Sequence, residues 1–181
     1  MMKLPTCLFW AIALLALNLT ACTVRKQTIS TGDKYRNYVA KYSKTAVSHM
    51  KTYKIPASIK LAQGLLESAA GQSRLAREAN NHFGIKCKPE WTGAVIYMKD
   101  DGPNDCFRKY KKVKDSYKDH SLFLSKRVYY TSLFELDIHD YKAWAKGLQK
   151  CGYATDPNYA NKLIKLIEQY QLYQYDAKVK L

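Results

Sequence analysis

The sequence predicts an α+β fold in which a mainly helical body carries a small β-hairpin lobe. Apolar residues recur at three- and four-residue steps on either side of residues 85–110, and strand-forming residues are concentrated within that range. The chain has 181 residues, which is enough to bury one sizeable core and too few for two comfortable domains. Its 47% hydrophobic content argues against a disordered chain. The order of elements, with helices on both sides of a β insertion, therefore predicts one α+β domain.

Residues 1–21 have the pattern of a secretory signal peptide. Lys3 precedes an apolar run over residues 8–17, and Leu-Thr-Ala-Cys follows at residues 19–22. A run of about ten apolar residues is half as long as a membrane-spanning helix. A positive start and small residues before a cleavage point are typical of export signals. We therefore expect an exported protein.

The end of this signal resembles that of a bacterial lipoprotein, in which cleavage leaves a lipid-modified cysteine at the N-terminus. Here that residue is Cys22, and a plain signal peptide with an incidental cysteine is the alternative. Residues 22–32 would form a polar, lipidated tether, and residues 33–181 the folded domain. Thr23, rather than an aspartate, follows the cysteine. By resemblance to known lipoprotein sorting patterns, this favours an anchor in the outer membrane, facing the periplasm.

The mature chain is strongly basic. Removing residues 1–21 lowers the formal charge only from +15 to +14, because Lys3 is the one charged residue among them. Such a charge favours polyanionic partners. Export makes anionic lipid or an acidic wall polymer more suitable than nucleic acid, and no helix-turn-helix, zinc-finger or RNP-like motif is present. We therefore expect no nucleic-acid partner, and we expect a monomer.

The cysteines fit an exported protein. Cys7 leaves with the signal and Cys22 is the candidate anchor, so three remain for the domain. Cys87 and Cys106 flank the predicted hairpin, where a disulfide closing about 20 residues would contribute about 3 kcal/mol. A zinc site is the alternative, but no CxxC or HxxxH spacing supports it. Cys151 is expected to be a buried free thiol.

Three helices are predicted before the hairpin. The first covers residues 33–54, with Asp33 as a candidate N-cap. The second begins at Pro56, runs to about Ala70 and ends at Gly71. A short third helix is predicted over residues 73–79, after which the sequence NNHFG indicates a turn.

Three more helices are predicted after the hairpin. Ser116 and Asp119 have the spacing of a capping box for a helix over residues 117–126. Asp140 is the candidate N-cap of a helix that ends near residue 150. The pair Asp156-Pro157 marks the start of a last helix, which ends near residue 170.

Glu67 is the first candidate for chemistry. The helix that begins at Pro56 places Ile59, Ala62 and Leu66 on one face and carries further apolar residues, so it should be buried on most sides. Glu67 falls in its last turn, where the helix dipole and apolar neighbours both disfavour a charged carboxylate. A raised pKa would suit a general acid that protonates a leaving oxygen. The alternative is a surface glutamate on the polar stripe.

Four segments occur in an order that resembles one enzyme family. They are LAQGLLESAAGQSRLAREANNHFGIK at 61–86, WTG at 91–93, CFRKY at 106–110 and GYATDPNYANKLIKLI at 152–167. Together they resemble the peptidoglycan endo-β-N-acetylglucosaminidases of glycoside hydrolase family 73, the flagellar and autolysin group with a lysozyme-like fold. The resemblance covers about residues 35–176. It implies hydrolysis of the β-1,4 bond after N-acetylglucosamine in peptidoglycan glycan strands, with no cofactor.

The resemblance also assigns site residues. Glu67 matches the catalytic general acid of the family, and Tyr153 in GYATD matches a tyrosine of the substrate cleft. Asn81 and Trp91 fall in matching segments near that cleft and are expected to bind substrate. Packing is the alternative for Tyr153 and Trp91, and turn formation is the alternative for Asn81.

The second catalytic group is less clearly marked. A glycosidase commonly uses two carboxylates, and the family often draws the second from the β lobe, where this sequence has YMKDDGPND without a glutamate. Asp101 is chosen over Asp100 because it lies nearer the hairpin tip, and an ordinary acidic turn is the alternative. Participation of the substrate's own acetamido group would make an enzyme nucleophile unnecessary.

Two other functions stay open at this stage. A lytic transglycosylase also needs one acidic glutamate on a similar helix, and an inactive peptidoglycan-binding lipoprotein could use the same groove to hold glycan. No metal is expected, because the four histidines share no ligand spacing. We interpret them as structural or surface residues: His49, His82, His120 and His139.

Overall fold

Three helices precede the β lobe in the computed structural model, which describes residues 33–100 and 102–179. Helix α1 is Lys34–Tyr53, α2 is Ala57–Glu67 and α3 is Arg74–Ala79. The predicted signal peptide, the tether with Cys22 and the candidate Asp101 lie outside the described residues.

The starts of α1 and α3 are set by side-chain caps. Asp33 accepts hydrogen bonds from the backbone N–H groups of Tyr35 and Arg36, at 2.9 and 3.2 Å. Ser73 likewise accepts from the N–H of Ala76 at 3.1 Å. Each cap satisfies donors that have no partner within the first helical turn. The predicted N-cap at Asp33 is confirmed.

Helix α2 ends earlier than the sequence predicts. It begins at Ala57, one residue after Pro56, and its last helical residue is Glu67 rather than Ala70. The cause is a run of left-handed backbone, with φ of +50° at Ala69, +57° at Ala70 and +78° at Gly71. Helical hydrogen bonding cannot continue through such residues. Glu67 therefore lies at the very end of the helix.

The β lobe is a two-stranded antiparallel sheet. Strand β1 is Val95–Met98 and β2 is Asp105–Arg108, with Val95 opposite Arg108. The predicted disulfide between Cys87 and Cys106 is confirmed, with a Cα–Cα distance of 5.3 Å. The backbone N–H of Cys87 also donates to the carbonyl of Cys106 at 2.8 Å. The bridge thus ties the segment before the hairpin to its second strand.

Removing this disulfide is expected to lower the free energy of unfolding by about 3 kcal/mol, because the bridge restricts the unfolded chain. The measurement is urea unfolding of the Cys87→Ser/Cys106→Ser variant. Cys151→Ser is the matched control, since Cys151 is a free, half-buried thiol and its loss should change stability little. Equal stability of the double variant and the parent would contradict the structural role.

Helix α4, Val113–Ser125, starts before its predicted beginning. The capping box predicted for Ser116 and Asp119 is wrong, because both residues lie inside the helix. Asp119 instead accepts hydrogen bonds from Arg108 Nη1 at 2.9 Å and from Tyr110 Oη at 2.6 Å. Both partners come from the end of the β lobe. Asp119 therefore fastens the lobe to the helical body.

The rest of the body consists of two α-helices and two 3₁₀ helices. Asp140 caps α5 by accepting from the N–H of Ala143 at 2.9 Å, as predicted. The last α-helix begins two residues after Pro157. The described elements are α5 Tyr141–Lys150, α6 Tyr159–Gln169 and the 3₁₀ helices Val128–Glu135 and Leu172–Tyr175.

The core surrounds α2. This helix packs against α1, α5, α6 and the second 3₁₀ helix, and all nine residues from Ala57 to Leu65 are buried. Trp144 of α5 is the largest fully buried side chain. The prediction that the second helix is buried on most sides is confirmed. Within residues 33–100 and 102–179, no helix is long and apolar enough to cross a membrane.

Candidate active site

A cleft of about 620 Å³ begins at the end of α2. The helical body supplies one part of its lining, and the β lobe with the loop before it supplies the other. The lining residues are Glu67, Ser73, Arg74, Leu75, Phe83, Gly84, Ile85, Lys86, Lys88, Met98, Lys99, Asp100, Phe107, His120, Phe123, Arg127, Tyr153 and Ala154. The cleft therefore brings together Glu67 and Tyr153, which are 86 positions apart in the sequence.

Glu67 is half-buried in this cleft and accepts a hydrogen bond from Tyr159 Oη at 2.9 Å. Burial raises the pKa of its carboxyl, whereas the hydrogen bond from Tyr159 lowers it by a smaller amount. The net direction is upward, as expected from the sequence. A raised pKa keeps more of the carboxyl protonated near neutral pH, which suits a proton donor.

Tyr159 is a neighbour of Glu67 that the sequence does not single out. It is buried at the first position of α6, and Gln63 Nε2 donates to its hydroxyl oxygen at 3.1 Å. Tyr159 in turn donates to Glu67, so α2 and α6 together orient the carboxyl. In the sequence Tyr159 looks like an ordinary core residue, because it continues the apolar spacing of its helix.

Tyr153 lies beside this pair and is held by a second buried chain. Its ring stacks on Tyr159 with centroids 5.4 Å apart. Its hydroxyl oxygen lies 2.8 Å from His120 Nε2, and His120 Nδ1 lies 2.7 Å from Lys60 Nζ. The sequence predicts a structural or surface role for His120 and does not single out Lys60. A lysine in the apolar stretch SIKLAQGLL was the available signal.

Asn81 lies beneath the cleft wall. Its amide donates to the carbonyls of Ile85 and Arg108 at 3.0 and 2.9 Å, and its oxygen accepts from the N–H of Ile85 at 3.1 Å. Only 1% of the residue is exposed, which leaves no surface for direct contact with a sugar. The Asn81 side chain supports the cleft wall from behind, so the structure does not place it in direct contact with a bound sugar.

Trp91 lies on the β lobe and does not line the cleft. The Arg108 guanidinium is 4.6 Å from its ring centroid, and the Tyr110 ring meets it edge-on at 5.7 Å. Its Nε1 donates to the carbonyl of Ala94 at 3.1 Å. These contacts correspond to the lobe packing considered as the alternative for this residue.

The acidic residues of the β lobe differ in whether they line the cleft. Asp100 lines the cleft and forms an ion pair with Lys86 Nζ at 3.1 Å. Glu90 lies outside the cleft lining, with an oxygen 3.8 Å from Arg108 Nη2. Asp101, the candidate second carboxylate, is outside the described residues. Asp100 is therefore the described lobe carboxylate that shares the cleft with Glu67.

The lining of the cleft is rich in cations. Two described carboxylates, Glu67 and Asp100, share it with five basic side chains: Arg74, Lys86, Lys88, Lys99 and Arg127. In the part of the chain that the structure describes, no group of three or more His, Cys, Asp or Glu residues could hold a metal ion. The arrangement can deliver a proton from Glu67 to a ligand that carries negative charge elsewhere.

Residues 43–172 match the glucosaminidase family, described as mannosyl-glycoprotein endo-β-N-acetylglucosaminidase. The chain is 34% identical to exo-glucosaminidase LytG of Bacillus subtilis, over 96% of this chain and 67% of that protein. It is 31% identical to the peptidoglycan hydrolase FlgJ of Salmonella typhimurium, over 77% of this chain and 47% of that protein. The chain thus spans between about half and two thirds of the length of these relatives.

Solved structures agree with this match. The catalytic domain of the autolysin Auto from Listeria monocytogenes has a TM-score of 0.70 and 33% identity, over 81% of this chain and 90% of that one. The glycoside hydrolase domain of Salmonella typhimurium FlgJ has a TM-score of 0.65 and 29% identity, over 80% and 92%. The expected α+β, lysozyme-like fold is confirmed. The chain belongs to the glucosaminidase family, glycoside hydrolase family 73.

Proposed function

We propose that this chain hydrolyses the β-1,4 bond after N-acetylglucosamine in peptidoglycan glycan strands, with Glu67 as the general acid. The observation that carries the proposal is the half-buried Glu67 carboxyl in the cleft, with its raised pKa and its hydrogen bond from Tyr159. The names of the relatives support the substrate, since FlgJ is a peptidoglycan hydrolase and LytG an exo-glucosaminidase.

In this mechanism Glu67 donates its proton to the oxygen that leaves when the glycosidic bond breaks. Positive charge then develops on the sugar ring, as in other glycoside hydrolases. Glu67 is the last residue of α2, and its carboxyl accepts the hydrogen bond from Tyr159. Together these features fix the position of the proton donor. Proton donation of this kind contributes about a hundredfold to ten-thousandfold to rate.

The second group is either Asp101 or the acetamido oxygen of the substrate. Asp101 follows Asp100, whose side chain lies in the cleft lining, and this neighbour supports a lobe carboxylate. Tyr153 borders the same space and is the substrate-binding residue of the proposal. The five cations of the lining suit the carboxylates of peptide stems on the glycan.

We further propose that the domain works in the cell envelope. The signal pattern of residues 1–21 supports export, and the Leu-Thr-Ala-Cys ending supports a lipid anchor on Cys22. Thr23 supports the outer membrane, with residues 22–32 as a tether and residues 33–181 as a monomeric domain. Globomycin inhibits lipoprotein signal peptidase, so it should cause accumulation of the uncleaved form. Unchanged processing would contradict the anchor.

Mass spectrometry of fragments released from purified sacculi tests the reaction. Hydrolysis after N-acetylglucosamine leaves that sugar at the reducing end, and endo cleavage gives fragments of several lengths. Anhydro-muramic ends would identify a lytic transglycosylase, and single terminal sugars would identify exo cleavage. Tight binding without any released fragment would identify an inactive binding protein.

Tyr159→Phe is expected to move the alkaline limb of the activity profile to higher pH. Glu67 must be protonated to act, so activity falls as pH rises through its pKa. The Tyr159 hydrogen bond lowers that pKa, so its removal should raise the pKa of Glu67 further. In addition, kcat should fall severalfold because the carboxyl is held less firmly. The measurement is kcat/KM against pH.

Tyr141→Phe is the control for Tyr159→Phe, because Tyr141 contacts Glu168 outside the cleft. A limb that moves to lower pH would contradict this account.

A further inference from the structure

Three side chains form one hydrogen-bonded chain, and two of them, His120 and Tyr153, line the cleft. Lys60 and His120 are both almost completely inaccessible, at 0% and 1% exposure. Lys60 Nζ lies 2.7 Å from His120 Nδ1, and His120 Nε2 lies 2.8 Å from Tyr153 Oη. Tyr153 is the member of this hydrogen-bonded chain that also stacks on Tyr159, the hydrogen-bond partner of Glu67.

The buried lysine has no anionic partner among the described residues. The groups that face it are the Phe83 ring, 5.3 Å from Nζ, and the imidazoles of His120 and His49. Burial lowers the pKa of its amine well below the ordinary value, and it lowers the pKa of His120 in the same direction. A buried, unpaired ammonium would be very costly, so this environment favours the neutral form of both groups.

Neutrality fixes the direction of the hydrogen bonds. A neutral amine accepts a hydrogen bond better than it donates one, and a neutral imidazole has one donor nitrogen and one acceptor nitrogen. His120 therefore donates from Nδ1 to Lys60 Nζ. Its Nε2 is left without a hydrogen, so Tyr153 must donate its hydroxyl hydrogen to it.

We propose that Lys60 and His120 are positioning residues that hold the hydroxyl hydrogen of Tyr153 away from the cleft. The Tyr153 oxygen then presents its lone pairs to the cleft and accepts a hydrogen bond there. The donor is either the attacking water or the acetamido N–H of the bound sugar. The identity of this hydrogen-bond donor rests on the proposed function. The direction of the hydrogen bonds among Tyr153, His120 and Lys60 does not.

The geometry explains why a lysine occupies this place. An apolar side chain of similar length would fill the space without the cost of burying an amine. Such a side chain would, however, leave His120 Nδ1 without an acceptor, and His120 could then adopt the other tautomer. In that tautomer Nε2 would donate to Tyr153, and the Tyr153 hydrogen would point into the cleft.

The tautomer of His120 is measurable without any activity assay. Nitrogen-15 NMR of the histidine-labelled protein separates protonated from unprotonated ring nitrogens, and the His120→Gln variant identifies the His120 signals. We expect Nδ1 to carry the hydrogen and Nε2 to carry none. In Lys60→Met we expect the hydrogen to shift toward Nε2. A protonated Nε2 in the parent protein, or a tautomer unaffected by Lys60→Met, would overturn the proposal.

A double-mutant cycle tests the consequence for catalysis. Lys60→Met should lower kcat about tenfold in the parent, because a contact at the reacting centre is misplaced. In a Tyr153→Phe background it should change kcat less than about twofold, since no hydroxyl remains to be oriented. A fall in kcat alone points to the attacking water, and a rise in KM as well points to the acetamido group.

One control variant and the double-mutant cycle separate positioning from packing. His49→Gln alters a half-buried histidine that also faces Lys60 but contacts Ser121 rather than Tyr153, and it should leave kcat within about twofold of the parent. An equal loss from Lys60→Met in both backgrounds would show a purely structural role and overturn the proposal. If the parent protein releases no fragments from sacculi, the proposed function fails. The NMR measurement still tests the tautomer of His120 independently of that outcome.

Discussion

Glu67→Gln is expected to lower kcat about a thousandfold while the protein stays folded. Glutamine keeps the shape of the side chain, and its amide oxygen can still accept the hydrogen bond from Tyr159. What it loses is the proton that the leaving oxygen must receive, and general acid catalysis contributes about a hundredfold to ten-thousandfold. The measurement is the initial rate of reducing-end release from purified sacculi.

The matched control is Glu168→Gln. Glu168 is exposed on α6, where it pairs with Lys142 at 2.9 Å and lies outside the cleft lining. Its substitution should leave kcat unchanged within about twofold. Near-parental activity of Glu67→Gln, with the same unfolding midpoint, would show that another group supplies the proton.

Gly64→Ala is expected to destabilise the domain by about 2–3 kcal/mol, because overpacking in a rigid core forces neighbours apart. Gly64 lies in α2 one turn before Glu67. A methyl group there would collide with the hydroxyl of Tyr38 and lie 2.9 Å from that of Tyr117. These two buried hydroxyls are hydrogen-bonded to each other at 2.9 Å, so neither can move freely. The measurement is chemical unfolding, with activity followed in parallel.

A second substitution tests this cause. Tyr38→Phe removes the hydroxyl that the new methyl group meets, so Gly64→Ala/Tyr38→Phe should be more stable than Gly64→Ala alone. Tyr38→Phe by itself should be destabilising, because it leaves Tyr117 and His82 Nδ1 without their shared partner. A double variant with additive losses would show that the collision is not the source of the effect.

Local features of the fold could be predicted from the sequence. The N-caps at Asp33 and Asp140 depend on one side chain and the turn beside it, so a short motif is enough. The end of α2 could not be predicted in this way. Two alanines, Ala69 and Ala70, adopt positive φ there, which alanine rarely does without support from its surroundings. Local hydrogen bonds hold this turn: the N–H of Gly71 donates to the Ser68 hydroxyl at 2.7 Å and the N–H of Ala70 to the carbonyl of Leu65 at 2.9 Å. The turn makes Glu67 the last helical residue.

The error at Asp119 has a different origin, a contact with another part of the fold. Its spacing from Ser116 matches a capping box, but its partners are Arg108 and Tyr110 of the β lobe. Sequence spacing alone cannot distinguish a cap from a side chain that binds a distant segment. The cap predictions that proved correct, Asp33 and Asp140, are those whose side chains accept from backbone N–H groups two or three residues further along.

The candidate site shows the same division. Glu67 could be singled out because its position in an apolar helix is a local anomaly. Its support could not be predicted, since Tyr159 is 92 positions away and joins it only when α2 packs on α6. The chain from Lys60 through His120 to Tyr153 likewise joins three separate parts of the sequence. Asn81 and Trp91 were close in sequence to the cleft residues, but their side chains are occupied elsewhere.

The most direct test of the central claim compares the parent protein and Glu67→Gln on the same purified sacculi. The released fragments are reduced with borohydride, which marks the reducing-end sugar, and are then identified by mass spectrometry. We expect the parent to release fragments whose marked sugar is N-acetylglucosamine, and Glu67→Gln to release about a thousandth as many in the same time. Equal release by both proteins, or a parent product that ends in muramic or anhydro-muramic acid, would contradict it.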